Sequence, residues 1–421
     1  MRNSLRIGAW RFVATFGVVS LLADIVYEGA RSVTGPILAV LGATAIVVGV
    51  VTGIGEAAAL LLRLVSGPLA DRSRRFWAWA IAGYTLTVIA VPALGFAQTL
   101  AVAAVLIILE RVGKAIRSPA KDAMLSFATA QTGRGKGFAV HEAIDQFGAV
   151  LGPLLVAEML ALTGVQYGPA LAVLAIPGIA ALGLLFWLRS RAPQPELFES
   201  RSRPQTPHLP DDVPAGTRVR LPSAFWIYAG FSAATVTGFA TFGLISFHMV
   251  EGGILAPAIV PVVYAAVMLV DALVALATGW IYDRIGPRVL LALPVLCAVI
   301  PVLAFGDAMW AVAAGALLWG AALGIQESTL RATIADLIPP SYRATAYGVY
   351  AAVLGVAAAI GGALAGVLYT ESLTALVVVT AVIQAAALIF FAVFLSRRKL
   401  VVETVPEEPG QTTDERIDND A

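Results

Sequence analysis

Gly67–Arg75 reads GPLADRSRR, an aspartate with three arginines in the four positions after it, at the end of a long apolar run. The pattern returns at Gly279–Arg288 as GWIYDRIGPR. From Gly67 to Gly279 and from Asp71 to Asp283 the shift is the same 212 residues, about half of the 421-residue chain. A duplicated membrane domain leaves such a pair, and internal repeats of this kind mark many transporters. A second alignment supports the duplication. RGKGFAVHEAIDQFGAVLGP from Arg134 lies against RATAYGVYAAVLGVAAAIGG from Arg343, a shift of 209, which sets His141 opposite Tyr350 and Asp145 opposite Leu354.

Composition requires a membrane. Hydrophobic residues make up 59% of the chain and charged residues 13%, with a mean hydropathy of +0.85. That excludes an ordinary soluble globule of this size. Twelve apolar runs of about 20 residues, each long enough to cross a bilayer core as a helix, fall near 11–40, 45–70, 76–97, 99–125, 137–162, 165–188, 223–249, 256–281, 288–305, 308–337, 344–369 and 372–395. The first is too long for a cleavable signal peptide. The lone Cys297 lies in an apolar run, so neither a disulfide framework nor a cysteine metal site is available.

The basic residues fall in every second connection, from Arg2, Arg6 and Arg11 at one terminus to Arg397–Lys399 at the other, while the alternate turns hold no lysine or arginine. By the positive-inside rule these connections and both termini are cytoplasmic, and the parity fits twelve crossings of the plasma (inner) membrane. The expected organisation is a six-helix bundle over 1–188, a Pro- and charge-rich cytoplasmic linker over 189–222 that includes His208, a second six-helix bundle over 223–396, and a disordered cytoplasmic tail over 397–421.

An apolar helix ending in G-x-x-x-D-R-x-G-R-R, in both halves, resembles the signature of the major facilitator superfamily between helices 2 and 3 and its echo between helices 8 and 9. Here Arg74 stands at the second glycine, Phe76 at the last basic position, and Pro287 replaces one arginine. The resemblance covers nearly the whole chain outside the linker and tail. It implies an all-α membrane protein of twelve transmembrane helices in two pseudo-symmetric six-helix bundles, working by alternating access, with helices 1, 4, 7 and 10 lining a central cavity. It also implies that Asp71 latches the cytoplasmic side by bonding to the start of segment 11. A carboxylate at a helix C-terminus is unwelcome to the dipole and needs compensation, so Gly67, Asp71, Arg72 and Arg75, with Gly279, Asp283, Arg284 and Arg288, form the expected conformational latch.

Segments 3, 6, 9 and 12 carry essentially no ionisable residue in their apolar runs, so they belong against lipid. A charge at the bilayer centre costs roughly 2.5–3.5 kcal/mol, so the others should turn theirs toward protein or a wet cavity. Segment 1 holds Asp24, Glu28 and Arg31 on one helical face with Tyr27 beside them. Asp24 has no near cation on its own helix and is the better candidate for a proton carrier, while Glu28 either shares that role or pairs with Arg31. Glu56 and Arg63 repeat the spacing on segment 2. On segment 4, Glu110, Lys114, Arg117 and Lys121 form one stripe with Arg111 beside it, and Lys121 and Asp122 read as an interfacial pair. A mid-membrane basic residue here resembles the arginine that proton-linked family members use to control nearby acids, which assigns Arg111 to coupling. Lys114 and Arg117 would anchor carboxylates or a substrate anion.

Segment 5 carries His141, Glu142 and Asp145 before GAVLGP, in which Gly148, Gly152 and Pro153 allow close approach and a bend. This run resembles the helix 5 antiporter motif of exporters, although Val156 and Ala157 replace the terminal glycine pair. HEAID places Asp145 where H-E-x-x-H would have its second histidine, so no resident zinc site and no catalytic residue are expected. The cluster could instead take up protons or meet a cation in transit. In the second half Asp271 is the leading ionisable candidate, with Glu327 and Arg331 expected to pair.

The expected function is secondary transport of a small molecule by alternating access, as proton-coupled efflux or antiport by a monomer. It needs no cofactor and no nucleic-acid partner, and no GxxxxGK[ST] loop supports direct ATP drive. A proton-linked importer, an uncoupled facilitator and a non-transporting membrane sensor remain open alternatives.

Overall fold

A computed structural model of the chain describes residues 5–200, 221–338 and 343–403. In lipid every backbone N–H and C=O must be satisfied within the segment or its sheet, and these apolar runs answer as helices. The described residues form twelve spans. Span 1 is Ala9–Ser32 continued by Thr34–Val40, span 2 is Ala45–Leu61 with Arg63–Ser73, span 3 is Phe76–Leu94, and span 4 is Leu100–Thr132. Span 5 is Arg134–Leu162 and span 6 is Tyr167–Ala172 with Ala175–Arg191. Span 7 is Ser223–Thr237 with Phe242–Glu251, and span 8 is Val260–Ile285. Span 9 is Ala292–Ala304 after a 3-10 turn at Gly286–Leu291, span 10 is Met309–Leu337, span 11 is Arg343–Glu371 and span 12 is Leu373–Glu403. Spans 2 and 4 and the second helix of span 7 start on a threonine cap, since Thr44, Thr99 and Thr241 each accept from the backbone N–H three residues on.

Glycines set how closely the spans approach. A β-carbon at Gly148 or Gly152 of span 5 would strike the span 1 backbone at Leu21 or Ile25, and one at Gly361 of span 11 would strike Thr237 of span 7. Gly152 and Gly361 are 209 residues apart, the register of the second repeat, so the duplication reappears as equivalent helix crossings. Between the halves, Gly49 and Gly53 of span 2 meet Gly362 of span 11, and Gly366 meets Ala45 and Ile46. Gly35 beyond the break in span 1 meets Gly243 of span 7, and the Thr52 and Thr241 hydroxyls bond at 2.8 Å. Together these contacts close the end of the molecule opposite the linker.

Some elements extend beyond their expected limits. Span 4 continues as helix to Thr132 instead of ending near 125, because Pro119 is accommodated within it. Span 12 runs to Glu403, so the segment expected to be disordered from 397 begins as helix, while 404–421 lie outside the described residues. The linker also begins with structure. Leu197–Ser200 is a short helix whose buried Phe198 packs 5.2 Å from Phe12, and Gln131 donates to the Phe198 carbonyl at 2.6 Å. Residues 201–220, including His208, lie outside the described residues.

The two hinges turn at matching places. Arg74 caps span 2 with φ 48°, and Gly286, 212 residues later, caps span 8 with φ 63°. Asp71, Arg72 and Arg75 are exposed, as are Asp283, Arg284 and Arg288. Among the described residues neither aspartate forms an ion pair. Gly67 faces Pro119 of span 4, whereas Gly279 faces open space. The expected partner of Asp71, the start of segment 11, is helical from Arg343, but the side chains at 343–345 lie outside the description.

Candidate substrate cavity

Spans 1, 4, 5, 8 and 10 surround a cavity of about 360 Å³ that reaches the exposed Glu142 and Glu327 on the linker side. Span 1 supplies Ser20, Asp24, Tyr27, Glu28 and Arg31, a stripe about 16 Å long at a rise of 1.5 Å per residue. Charged helices of this kind would be untenable against lipid, and here their polar faces turn inward. Spans 6, 9 and 12 point bulky apolar side chains such as Ile179, Val299 and Ile389 outward. Span 3 does the same with Ile89 but also sends Tyr84 to the cavity wall.

A charge network forms the cavity floor. Tyr264 of span 8 donates to Glu28 Oε2 at 2.5 Å, and Arg31 lies 3.6 Å from Glu28 Oε1 and 2.9 Å from Glu56 Oε1. Glu56 also meets Arg111 Nη2 at 3.6 Å, and Arg111 Nε meets Glu110 Oε2 at 3.2 Å. The guanidinium of Arg31 sits 5.8 Å from the centre of the Trp319 ring on span 10. Beyond this floor, toward the closed end, a pocket of about 30 Å³ is bounded by Arg31, Glu56, Arg111 and Thr241. Glu56 therefore pairs with spans 1 and 4 rather than with Arg63, the partner its spacing suggests.

Above the floor the charges stand apart. Lys114 Nζ donates to the Tyr27 hydroxyl at 3.3 Å and lies 4.3 Å from that ring's centre. Arg117 donates to Thr87 at 2.8 Å and lies between the Tyr27 and Tyr84 rings, 5.1 and 4.9 Å from their centres. Among the described residues neither cation forms an ion pair, and Lys121 and Asp122 line the cavity without pairing to each other. The carboxylates are equally separate. Among the described residues Asp24 accepts only from Tyr27, at 3.3 Å, and Asp271 accepts from Gln146 of span 5 at 3.4 Å. One oxygen each of Asp145 and Asp271 is buried without a hydrogen-bond partner.

His141 is buried and shares a hydrogen bond with Ser20 at 2.9 Å. His141, Glu142 and Asp145 bring one donor atom each to within 4.8 Å of one another, a spacing that could hold a cation. Gly148 and Gly152 seat span 5 on span 1 and so fix Asp145 near Asp24, with Pro153 inside the same helix. Glu327 lines the cavity, whereas the Arg331 side chain lies outside the description. Ser20, Tyr84 and Gln146 line the cavity and Tyr264 bonds to Glu28 in its floor, and charge patterning reveals none of them. Their signal is position, since Ser20 continues the Asp24 stripe by one turn and Gln146 follows Asp145.

The profile of the Major Facilitator Superfamily matches residues 17–306 and 255–417. The chain belongs to that superfamily and is a multi-pass membrane transporter of its kind. It is 60% identical over 392 residues to an uncharacterised protein of Mycobacterium tuberculosis (strain ATCC 25618 / H37Rv), covering 93% of this chain and 95% of the relative. Among solved structures it superposes on a POT family transporter in complex with a thioalcohol-conjugated peptide, with TM-score 0.72, 12% identity, and coverage of 93% and 96%. It also resembles a bacterial homologue of the human lysosomal transporter Spinster in an inward-facing, occupied conformation, with TM-score 0.66, 15% identity, and coverage of 94% and 98%. These two likenesses establish the fold alone.

Proposed function

We propose that the chain exports a small molecule in exchange for protons, with Asp24 and Asp145 as the groups that load and release them. The observation that carries this reading is the pair itself: two carboxylates on tightly packed spans 1 and 5, both on the cavity wall, neither within 4.0 Å of a cation among the described residues. A carboxylate in such a place is costly when charged and is poised to take a proton. Glu28 and Arg111 act one layer away, through the network that closes the floor. The cytoplasmic face is the linker side and the cell membrane is the site of action, which the parity of basic connections supports. On that orientation the cavity faces inward. The two six-helix halves rock about the floor, with the linker between them and the hinge aspartates as the latch. The glycine contacts of span 5 with span 1 support the exporter direction, since they match the part of the sequence that resembles the antiporter motif.

The test uses purified protein in liposomes loaded with a pH-sensitive dye, with compounds added singly. A compound-triggered proton flux that Asp24→Asn and Asp145→Asn abolish, while both variants keep the parent melting temperature, is the expected result. Flux of substrate without proton movement would assign an uncoupled facilitator instead.

A further inference from the structure

The cavity walls have opposite signs. Span 4 presents Lys114, Arg117 and Lys121 along one helical stripe, and spans 5 and 8 present Asp145 and Asp271. Opposite charges that share a partly desolvated cavity attract one another and, left free, tend to pair. Here they do not: among the described residues no carboxylate lies within 4.0 Å of any of these three cations, and one oxygen of each aspartate is buried without a partner. In the deeper network, by contrast, Arg31 and Arg111 are both held by carboxylates. The separation is built rather than incidental. Tyr27 and Tyr84 clamp Arg117 from two sides while Thr87 accepts from it, and Tyr27 also holds Lys114. Gln146 in turn holds one oxygen of Asp271.

We infer that the transported molecule is a small zwitterion lying across the cavity, its carboxylate or phosphonate on Lys114 and Arg117 and its ammonium on Asp145 and Asp271. This rests on the transport reading above and assigns its substrate class. A pure anion would leave the two aspartates uncompensated in a space where unpaired charge is costly, and a pure cation would do the same to span 4. A zwitterion satisfies both walls. Because Asp271 belongs to span 8 and the basic stripe to span 4, such a ligand also bridges the halves, and its binding couples to their approach.

The experiment measures binding of free α-amino acids and ω-amino acids of increasing chain length to the full chain in detergent by calorimetry. Each compound is paired with its N-acetyl form, which keeps only the anion, and its methyl ester, which keeps only the cation. At least one zwitterion is expected to bind saturably and about tenfold or more tighter than both of its derivatives. Lys114→Gln should weaken the zwitterion and its N-acetyl form and spare the ester, and Asp271→Asn should weaken the zwitterion and its ester and spare the N-acetyl form. Should either fail to fold, Arg117→Gln and Asp145→Asn make the same distinction. Equal affinity for a derivative, or no saturable binding by any zwitterion to protein that melts cooperatively, would overturn the assignment. Proton flux evoked by a singly charged compound would overturn it too and leave the transport reading standing. Zwitterion binding without flux would remove the transport reading and leave the cavity as a zwitterion-binding site.

Discussion

Tyr264 of span 8 donates to Glu28 of span 1 at 2.5 Å, a bond that crosses from one half of the molecule to the other with both side chains buried. The carboxylate it meets is also held by Arg31. Opening the closed end requires the halves to separate, so this bond must lengthen or break when the cavity turns to face the other side. A hydrogen bond to a charged group contributes about 1.5–3 kcal/mol, enough to shift a two-state population by ten- to a hundredfold.

Tyr264→Phe is therefore expected to populate the opposite conformation. Spin labels on the exposed Val40 and Glu371, which belong to different halves at the closed end, would report it as a longer distance in double electron–electron resonance. An unchanged distance distribution would show that the bond does not bias the equilibrium.

Glu56 anchors two arginines, 2.9 Å from Arg31 and 3.6 Å from Arg111. Glu56→Gln keeps the shape and removes the charge, leaving two guanidiniums close together with less compensation. Removing one partner of a buried pair costs several kcal/mol. The Glu56 side chain is 29% exposed, which reduces this to about 2 kcal/mol. The expected result is a lower melting temperature in detergent, with a smaller effect for Glu110→Gln, whose carboxylate meets Arg111 alone.

Much of this arrangement is legible in the chain, for a reason specific to membranes. Charges are so costly in lipid that each apolar run bearing them must face inward, so Asp24, Lys114, Asp145 and Asp271 could be assigned to the interior from their neighbours alone. Their partners could not. Spacing along one helix pairs Glu56 with Arg63, but the packing of spans 1, 2 and 4 gives Glu56 to Arg31 and Arg111. Lys121 and Asp122 are adjacent in sequence yet line the cavity separately. Tyr264 and Tyr84 carry no charge and look like ordinary packing until the crossing helix is placed beside them.

Gly49 and Gly362 bring spans 2 and 11 into backbone contact, so that a β-carbon on either would strike the carbonyl of the other. Gly49→Val is expected to push these spans apart at the closed end and to hold the molecule open there. The Val40 and Glu371 labels should again separate, and transport should fall because the cycle can no longer return. Gly8, which meets nothing within 4 Å, supplies the control: Gly8→Ala should leave both readouts unchanged.

Arg74 and Gly286 occupy equivalent hinge positions with φ 48° and 63°, but their ψ angles differ, 23° against −147°. The Arg74 conformation is the left-handed helical one, which a side chain can adopt at a cost of about 1 kcal/mol. The Gly286 conformation is one that essentially only glycine adopts, so a β-carbon there costs about 1–3 kcal/mol. The two hinges should therefore respond in opposite directions. Arg74→Gly relieves strain and is expected to keep or slightly raise the melting temperature. Gly286→Ala should lower it, although nothing lies within 4 Å of the added β-carbon, because the penalty is in the backbone and not in a clash. Equal melting temperatures for Gly286→Ala and the parent would mean that the second hinge relaxes to another turn at no cost, and that the matching positive φ angles are not required by the repeat.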